Sequence, residues 1–304
     1  MSAPDAASRW YTHGWNRTIS WRLIDAIIPR VPRLLRPPLH LITTLLFFCL
    51  MPRERRAARR NLERVTGRRG LAATWLAFRL FYNFSKYMVA SLDLRPFRRD
   101  AMERRVSGAE EARRIIDAAL AAGRGLVVVT LHLGQWEVGL RFLAGDGRPV
   151  NVVVRPDERA GGSRYEAEAR ADPNIRILAA GDSAWNSLDL LLALRRGEMV
   201  AMQGDRAFGG APRRMDLFGA PVDLPVGPLL LAQAAGAPLV LICLPFRGHG
   251  RYRVHIDGPL RVGPGEAAID AALADYRRRV QAAIAAYPTQ WFNFYPVWEE
   301  RAAL

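Results

Sequence analysis

From about residue 107 onward the apolar positions of the chain switch repeatedly between two periods. Short, β-branched apolar runs occur at GLVVVT (125–130), VNVVVR (150–155), NIRIL (174–178), EMVAMQ (198–203), PLVLICLPF (238–246) and RYRVHI (251–256). Runs of that length and composition predict strands. Between them, apolar residues recur at helical spacing over 108–123, 135–145, 164–172, 183–197, 225–236 and 272–288, with Gly123 and Gly197 as C-terminal stops. Strands that alternate with helices predict an α/β fold, with a central mixed, largely parallel sheet flanked by helices. The pattern divides the chain into an N-terminal helical, membrane-associating region (1–107) and an α/β core (108–304). No internal repeat is visible.

The N-terminal region has a different texture. Ile19 to Ile28 is apolar on one face only. Leu39 to Met51 is the most apolar stretch of the chain but only 13 residues long, and Pro37 and Pro38 separate the two pieces. A bilayer span needs about 20 apolar residues. Residues 1–51 therefore read as helices lying in or dipping into the headgroup region; the competing reading makes Leu39 to Met51 a core helix. The next stretch concentrates Arg53, Arg55, Arg56, Arg59, Arg60, Arg64, Arg68 and Arg69, opposed only by Glu54 and Glu63. Such a stretch suits an anionic membrane, at about 1 kcal/mol per basic residue near the surface. A solvated helix face is the plainer alternative. No interleaved aromatics or RNA-binding signature accompany the arginines, so no nucleic-acid partner is expected.

Composition adds a charge and removes several chemistries. The formal net charge is +15, and all but Lys86 of the 44 basic residues are arginine. Such a chain attracts polyanions: nucleic acid, anionic lipid or an acidic carrier protein. Cys49 and Cys243 both lie in apolar runs and read as buried thiols, with no disulfide framework and no zinc spacing. No metal or cofactor is expected. The phosphate-binding loop, the H-E-x-x-H metalloprotease helix, the dinucleotide G-x-G-x-x-G and the G-x-S-x-G elbow are all missing from the sequence.

The segment that carries chemistry is LVVVTLHLGQWEVG. His132 follows the predicted strand end at Thr130 by two residues, and Glu137 falls early in the next predicted helix. Within one helix, residues five apart point about 140° from each other, so the pair meets only with His132 in the strand-to-helix loop. Open α/β sheets bind ligands beyond the carboxyl ends of their strands, which is where that loop would lie. Histidine accepts a hydroxyl proton near neutral pH. A carboxylate on its other ring nitrogen fixes the tautomer and stabilises the imidazolium. No nucleophilic Ser or Cys lies nearby in sequence, so direct attack by an acceptor hydroxyl is expected. The plain alternative is a loop histidine that satisfies a backbone carbonyl.

At these residues the chain resembles the bacterial lipid A late acyltransferases, within the wider group of H-x4-D/E lysophospholipid-type acyltransferases. The likeness runs from roughly residue 10 to 295. It rests on His132-Leu-Gly-Gln-Trp-Glu137, Arg155-Pro156, Gly197-Glu198 followed by a strand and Asp205, and the segment from FGGAP to GAPLV. The resemblance implies an O-acyltransferase that moves a fatty acyl chain from an acyl-carrier-protein or CoA thioester to a hydroxyl of lipid A or a related glycolipid. It also implies a peripheral or monotopic location on the cytoplasmic face of a bacterial inner membrane. By this likeness His132 is the base and Glu137 its orienter. Arg155 would stabilise developing charge or bind phosphate. Asp205 and Arg206 would pair with each other or shape the acceptor site. Arg213 and Arg214 would meet an anionic headgroup or the carrier's phosphate, or simply stand in a solvated loop. The C-terminal QWFNFYPVWEE departs from the family's W-x-H-R-R-like element. That leaves other acceptors open: a lysophospholipid, or a specialised polyene-type lipid. Trp291, Phe292, Phe294, Tyr295 and Trp298 read as core, with an acyl channel as the alternative. A non-enzymatic membrane or nucleic-acid binder is the remaining rival.

Overall fold

In the computed structural model, residues 31–92, 104–145, 147–154, 172–179, 184–207, 212–248 and 250–298 are described. The central sheet contains β2 (Leu126–Thr130), β3 (Val150–Val154), β4 (Ile175–Ala179), β5 (Met199–Gln203), β8 (Leu239–Cys243) and β10 (His255–Leu260). Their spatial order is β10-β8-β2-β5-β3-β4. All neighbours pair in parallel except β10, which runs antiparallel to β8. The mixed, largely parallel sheet expected from the sequence is therefore present, and each predicted run falls on a strand to within three residues at either end, except that the last run splits. Its start forms β9 (Tyr252–Arg253), which pairs with β1 (Val106–Ser107), and its end opens β10.

The helices α4 (Ala109–Leu120), α5 (Trp136–Ala144), α6 (Ala184–Arg195), α7 (Gly227–Ala235) and α8 (Glu266–Ala286) cover the sheet. Side chains alternate along β2: Leu126 and Val128 enter one core cluster, Val127 and Val129 the other. Val240 and Ile242 of β8 join the first, and Leu239, Leu241 and Cys243 the second. A sheet buried on both faces needs apolar residues at every position, which is why LVVVT and LVLIC show no alternation in sequence.

A hairpin of β6 (Arg213–Leu217) and β7 (Ala220–Leu224) has no counterpart in the hydrophobic pattern. Arg213, Arg214 and Asp216 of β6 are exposed, and only Leu217 is buried, so no apolar run announces the strand. Phe218 and Gly219 make its two-residue turn with both φ angles positive, 54° and 75°. That combination marks a turn whose twist suits a tight hairpin.

The described part of the N-terminal region is helical, as expected: α1 (Arg36–Leu50), α2 (Pro52–Thr66) and α3 (Gly70–Leu92). Ile19 to Ile28 and the 164–171 part of the predicted third helix lie outside the described residues. Ala58 and Leu62 of α2, and Ala77, Leu80 and Phe81 of α3, share one core cluster with α4, α5 and the sheet. The layer is thus built into the same core as the α/β unit. Part of its outer surface is apolar. In α1 the buried residues are His40 and Thr44, while Leu41, Ile42, Leu45, Leu46 and Leu50 are exposed. Ser85 of α3 gives His40 a partner inside, its hydroxyl meeting His40 Nδ1 at 3.0 Å and Thr43 Oγ1 at 2.9 Å. The Thr44 hydroxyl donates to the His40 carbonyl within the helix, and Phe47 and Phe48 pack against the core. Leu71 and Trp75 of α3 extend the exposed apolar surface. Cys49, expected to be buried, is exposed on α1; Cys243 is buried as expected. Among the described residues, no helix is long and apolar enough to cross a membrane.

Candidate active site

Sheet register builds the site. β2 and β5 are parallel neighbours, with Thr130 opposite Gln203 at their carboxyl ends. His132 lies two residues beyond Thr130, and Asp205 two beyond Gln203. Equal overshoot from paired positions brings the two side chains together: His132 Nδ1 is 2.7 Å from Asp205 Oδ1. The backbone N–H of His132 also points at the carboxylate, 3.2 Å from each oxygen. Trp291 Nε1 donates to Asp205 Oδ2 at 2.8 Å.

Two glycines make the approach feasible. A Cβ on Gly204 would stand 2.0 Å from the Tyr276 hydroxyl, which instead donates to the Gly204 carbonyl at 2.6 Å. Gly134 has φ 71°, and a Cβ there would meet the Leu244 carbonyl at 2.2 Å. No other residue fits either position without moving backbone or the buried tyrosine.

His132 occupies the strand-to-helix loop, as the spacing to Glu137 requires, but the carboxylate on its ring is Asp205. Glu137 faces α3 instead. The Tyr87 hydroxyl donates to Glu137 Oε1 at 2.7 Å, and Ser91 Oγ lies 3.4 Å from the same oxygen. Gln135 Nε2 donates to Glu137 Oε2 at 3.1 Å and to Ser91 Oγ at 2.9 Å. Trp136 Nε1 donates to the Tyr87 hydroxyl at 3.2 Å. Position 137 opens α5, whose first turn points toward the helical layer rather than back over the loop. The expected orienter is thus a buried carboxylate that fastens α5 to α3, and the orienting position belongs to the neighbouring strand.

The electrostatics separate the dyad's two members. Burial alone would push the Asp205 carboxyl up. The charge and hydrogen bond of His132, the nearby Arg206 and the Trp291 indole outweigh it and hold Asp205 well below the usual carboxylate range. Burial, followed by the Arg206 charge, lowers His132 from its ordinary value, against the opposing pull of Asp205. The imidazole is neutral at pH 7 as a result. With Nδ1–H directed at Asp205, Nε2 carries the lone pair, and among the described residues nothing hydrogen-bonds it. The His132 side chain keeps 20% exposure, while Asp205 keeps 1%. The imidazole is reachable and the carboxylate on its ring is sealed.

The other sequence candidates disperse. Arg206 does not form a simple pair with Asp205. Its Nε donates to Asn293 Oδ1 at 2.9 Å, and a terminal nitrogen donates to the Phe292 carbonyl at 2.8 Å. It secures the C-terminal segment and contributes charge beside the dyad. Arg213 and Arg214 stand on the exposed hairpin, in ion pairs with Glu266 (2.7 Å) and Asp223 (3.5 Å). Arg155 lies outside the described residues. Glu198 sits at the amino end of β5, opposite the site, where Arg196, Arg176 and Asn151 hold it. Trp291 and Phe292 are buried in the core, as their composition predicts. Cys243 offers no nucleophile, because burial pushes its thiol up to about 12. Among the described residues no cluster of His, Cys, Asp and Glu is arranged to hold a metal ion.

The sequence profile of the bacterial lipid A biosynthesis acyltransferases matches residues 6–300. The chain is also similar to curated proteins of mycobacteria. Over 186 residues it is 31% identical to the phosphatidylinositol mannoside acyltransferase of Mycobacterium tuberculosis (strain CDC 1551 / Oshkosh), covering 60% of this chain and 57% of that protein. The protein of the same description from Mycolicibacterium smegmatis (strain ATCC 700084 / mc(2)155) is 28% identical over 183 residues, covering 60% and 59%. The chain thus matches less than two thirds of the length of either relative.

Proposed function

The chain belongs to the bacterial lipid A biosynthesis acyltransferase family, and from that premise we propose that it moves a fatty acyl group from a thioester donor to a hydroxyl of a glycolipid. The observation that carries this reading is the His132–Asp205 contact of 2.7 Å at the carboxyl end of a parallel sheet, with Nε2 left unbonded among the described residues. The acceptor hydroxyl gives its proton to His132 Nε2 while its oxygen attacks the thioester carbonyl carbon. Asp205 stabilises the imidazolium that forms. As the tetrahedral intermediate collapses, the C–S bond breaks. The departing sulfur then takes the proton from Nε2 as it leaves, regenerating neutral His132. Proton transfer by a positioned base contributes about 10²–10⁴ in rate. In this mechanism Glu137 braces α5 and is not the orienter.

A glycolipid acceptor is favoured by the mycobacterial relatives, which are phosphatidylinositol mannoside acyltransferases, and by the family's association with lipid A biosynthesis. The donor is an acyl-carrier-protein or CoA thioester. The inverted α1, with Leu41, Ile42, Leu45 and Leu46 outward, and Leu71 and Trp75 of α3 support peripheral docking on a membrane. Exposed Arg53, Arg56, Arg60, Arg68 and Arg69 beside that surface suit an anionic one, such as the cytoplasmic face of a bacterial inner membrane.

The test is label transfer from acyl carrier protein, and separately from acyl-CoA, to a total bacterial lipid extract, with wild type and His132→Ala side by side. A labelled glycolipid with wild type alone is the expected result, and mass spectrometry names the acceptor. Equal transfer by His132→Ala would remove the mechanism. A labelled lipid without sugar would replace the acceptor class.

A further inference from the structure

A carboxylate that orients a histidine must itself be oriented, because the terminal torsion of Asp is soft. Asp205 is buried, and each of its oxygens has a fixed donor: Oδ1 faces His132 Nδ1, and Oδ2 takes the indole N–H of Trp291 at 2.8 Å. Trp291 belongs to the segment 287–298, which runs alongside the catalytic loop. Phe292 N–H donates to the His132 carbonyl at 2.7 Å, Gly134 N–H donates to the Gln290 carbonyl at 3.0 Å, and Leu133 and Trp291 form an antiparallel bridge. The segment is fastened from several sides. Asn61 of α2 donates to the carbonyls of Asn293 and Tyr295, and Asn83 of α3 donates to that of Thr289. Arg206 holds Phe292 and Asn293. The indole therefore has little freedom to follow a carboxylate that turns.

We infer that Trp291 is a positioning residue of the acyl-transfer site, whose indole N–H fixes which oxygen of Asp205 faces His132 and so keeps the ring proton on Nδ1. The inference rests on the reading of His132 as the general base. Without the indole donor, Oδ2 is buried with only the longer contact from the His132 backbone N–H, and the carboxylate can turn. The imidazole then loses its single preferred tautomer, and a fraction of molecules carries the proton on Nε2, where it blocks the acceptor hydroxyl. A carboxylate relieved of a donor also attracts protons more strongly, so the imidazolium beside it is stabilised and His132 titrates at higher pH.

Trp291→Phe removes the N–H and keeps an aromatic ring. Trp298→Phe is the control. Its indole packs 5.9 Å from that of Trp291 and donates to the Leu217 carbonyl at 2.8 Å, away from the dyad. Two readouts are taken on the full chain: steady-state acyl transfer across pH, and the His132 titration by nuclear magnetic resonance. For Trp291→Phe, kcat should fall about tenfold with KM within about twofold, a loss of transition-state stabilisation alone. The acid limb and the His132 midpoint should both move to higher pH. Trp298→Phe should lose comparable thermal stability and move neither.

A Trp291→Phe variant with wild-type kcat and an unmoved midpoint overturns the inference, as does a Trp298→Phe variant that shifts the midpoint equally. If Trp291→Phe does not fold, site-specific β-(3-benzothienyl)alanine at 291 replaces the N–H by sulfur at nearly constant volume, and the same outcomes decide. Activity that survives His132→Ala would instead sink the general-base reading, and the His132 midpoint would still report whether Trp291 positions the dyad.

Discussion

The catalytic loop and the outer face of α1 solve opposite problems with side chains in what their sequences would call the wrong places. Around His132, the charged groups Asp205 and Glu137 are buried with named donors on their oxygens, and Gln135 is buried with its Nε2 held by Ser91 and Glu137. On α1, the polar His40 and Thr44 are buried while Leu41, Ile42, Leu45 and Leu46 face outward. A soluble helix of that length buries its apolar stripe. The contrast teaches that burial follows partners. The carboxylates enter the interior where fixed donors wait, and the outward leucines of α1 are what the proposed docking on a membrane would use.

The sharpest way to break the catalytic half of the contrast is Asp205→Asn, which changes one atom. Trp291 donates to the oxygen farther from the histidine. In the variant that place is best filled by the amide oxygen, which turns the NH₂ toward His132 Nδ1. The ring must then accept at Nδ1 and carry its proton on Nε2, where no hydroxyl proton can be received. A wrong tautomer of this kind costs about 10⁴ in kcat where a serine-protease triad has been altered the same way, and a loss of about 10³–10⁴ in acyl transfer is expected here, with the fold intact by circular dichroism. In the wild-type enzyme, His132 is lowered from its ordinary value by burial and by Arg206. Activity should therefore stay flat through neutral pH and fall only below about 6.5, as the base protonates. A plateau in the variant within tenfold of wild type would move the orienting role away from Asp205.

How much of this was legible in the chain differs between the two regions for a physical reason. The strands of the core and His132 were readable, because burial on both sheet faces writes continuous apolar runs and the loop position follows from where β2 ends. The partner of His132 was not, because it depends on which strands are neighbours. Nothing local in LVVVT or EMVAMQ says that β5 lies beside β2 in register. Glu137, close in sequence, looked like the partner, and Asp205, 73 residues away, is the partner. Trp291 gave no signal beyond aromatic composition, since one indole N–H has no pattern. In the N-terminal region the apolar run of α1 was visible, but its orientation was not. Ser85, the partner of His40, lies on a different helix.

The membrane-facing half breaks under Leu41→Gln, Ile42→Gln, Leu45→Gln and Leu46→Gln combined. Burial of such a side chain contributes about 1.5–3 kcal/mol when complete, so even partial insertion of four should cost at least about 100-fold in partitioning to anionic liposomes. These side chains are already exposed in the protein. The melting temperature should therefore hold or rise. A single Leu80→Ala in the shared core, by contrast, should cost about 2–5 kcal/mol of stability. Loss of folding in the quadruple variant, with unchanged sedimentation by liposomes, would make α1 a structural helix and nothing more.

The smallest expected effect comes from the residue that joins the two regions. α3 carries exposed Leu71 and Trp75 near its start, and Tyr87 and Ser91, which hold Glu137, near its end. Tyr87→Phe removes one donor from a buried carboxylate that retains Gln135 Nε2 at 3.1 Å. A hydrogen bond to a charged group contributes about 1.5–3 kcal/mol, and the donors that remain, Gln135 Nε2 and Ser91 Oγ among them, limit the loss toward the lower figure. Glu137 braces α5 rather than the ring, so the effect should fall on stability and only severalfold on kcat, with the acid limb of the pH profile unmoved. An acid limb that moved in Tyr87→Phe as far as in Trp291→Phe would return Glu137 to the dyad. An unmoved limb with a lower melting temperature leaves proton transfer to His132 and Asp205, and leaves to Glu137 the work of tying the helical layer to the site.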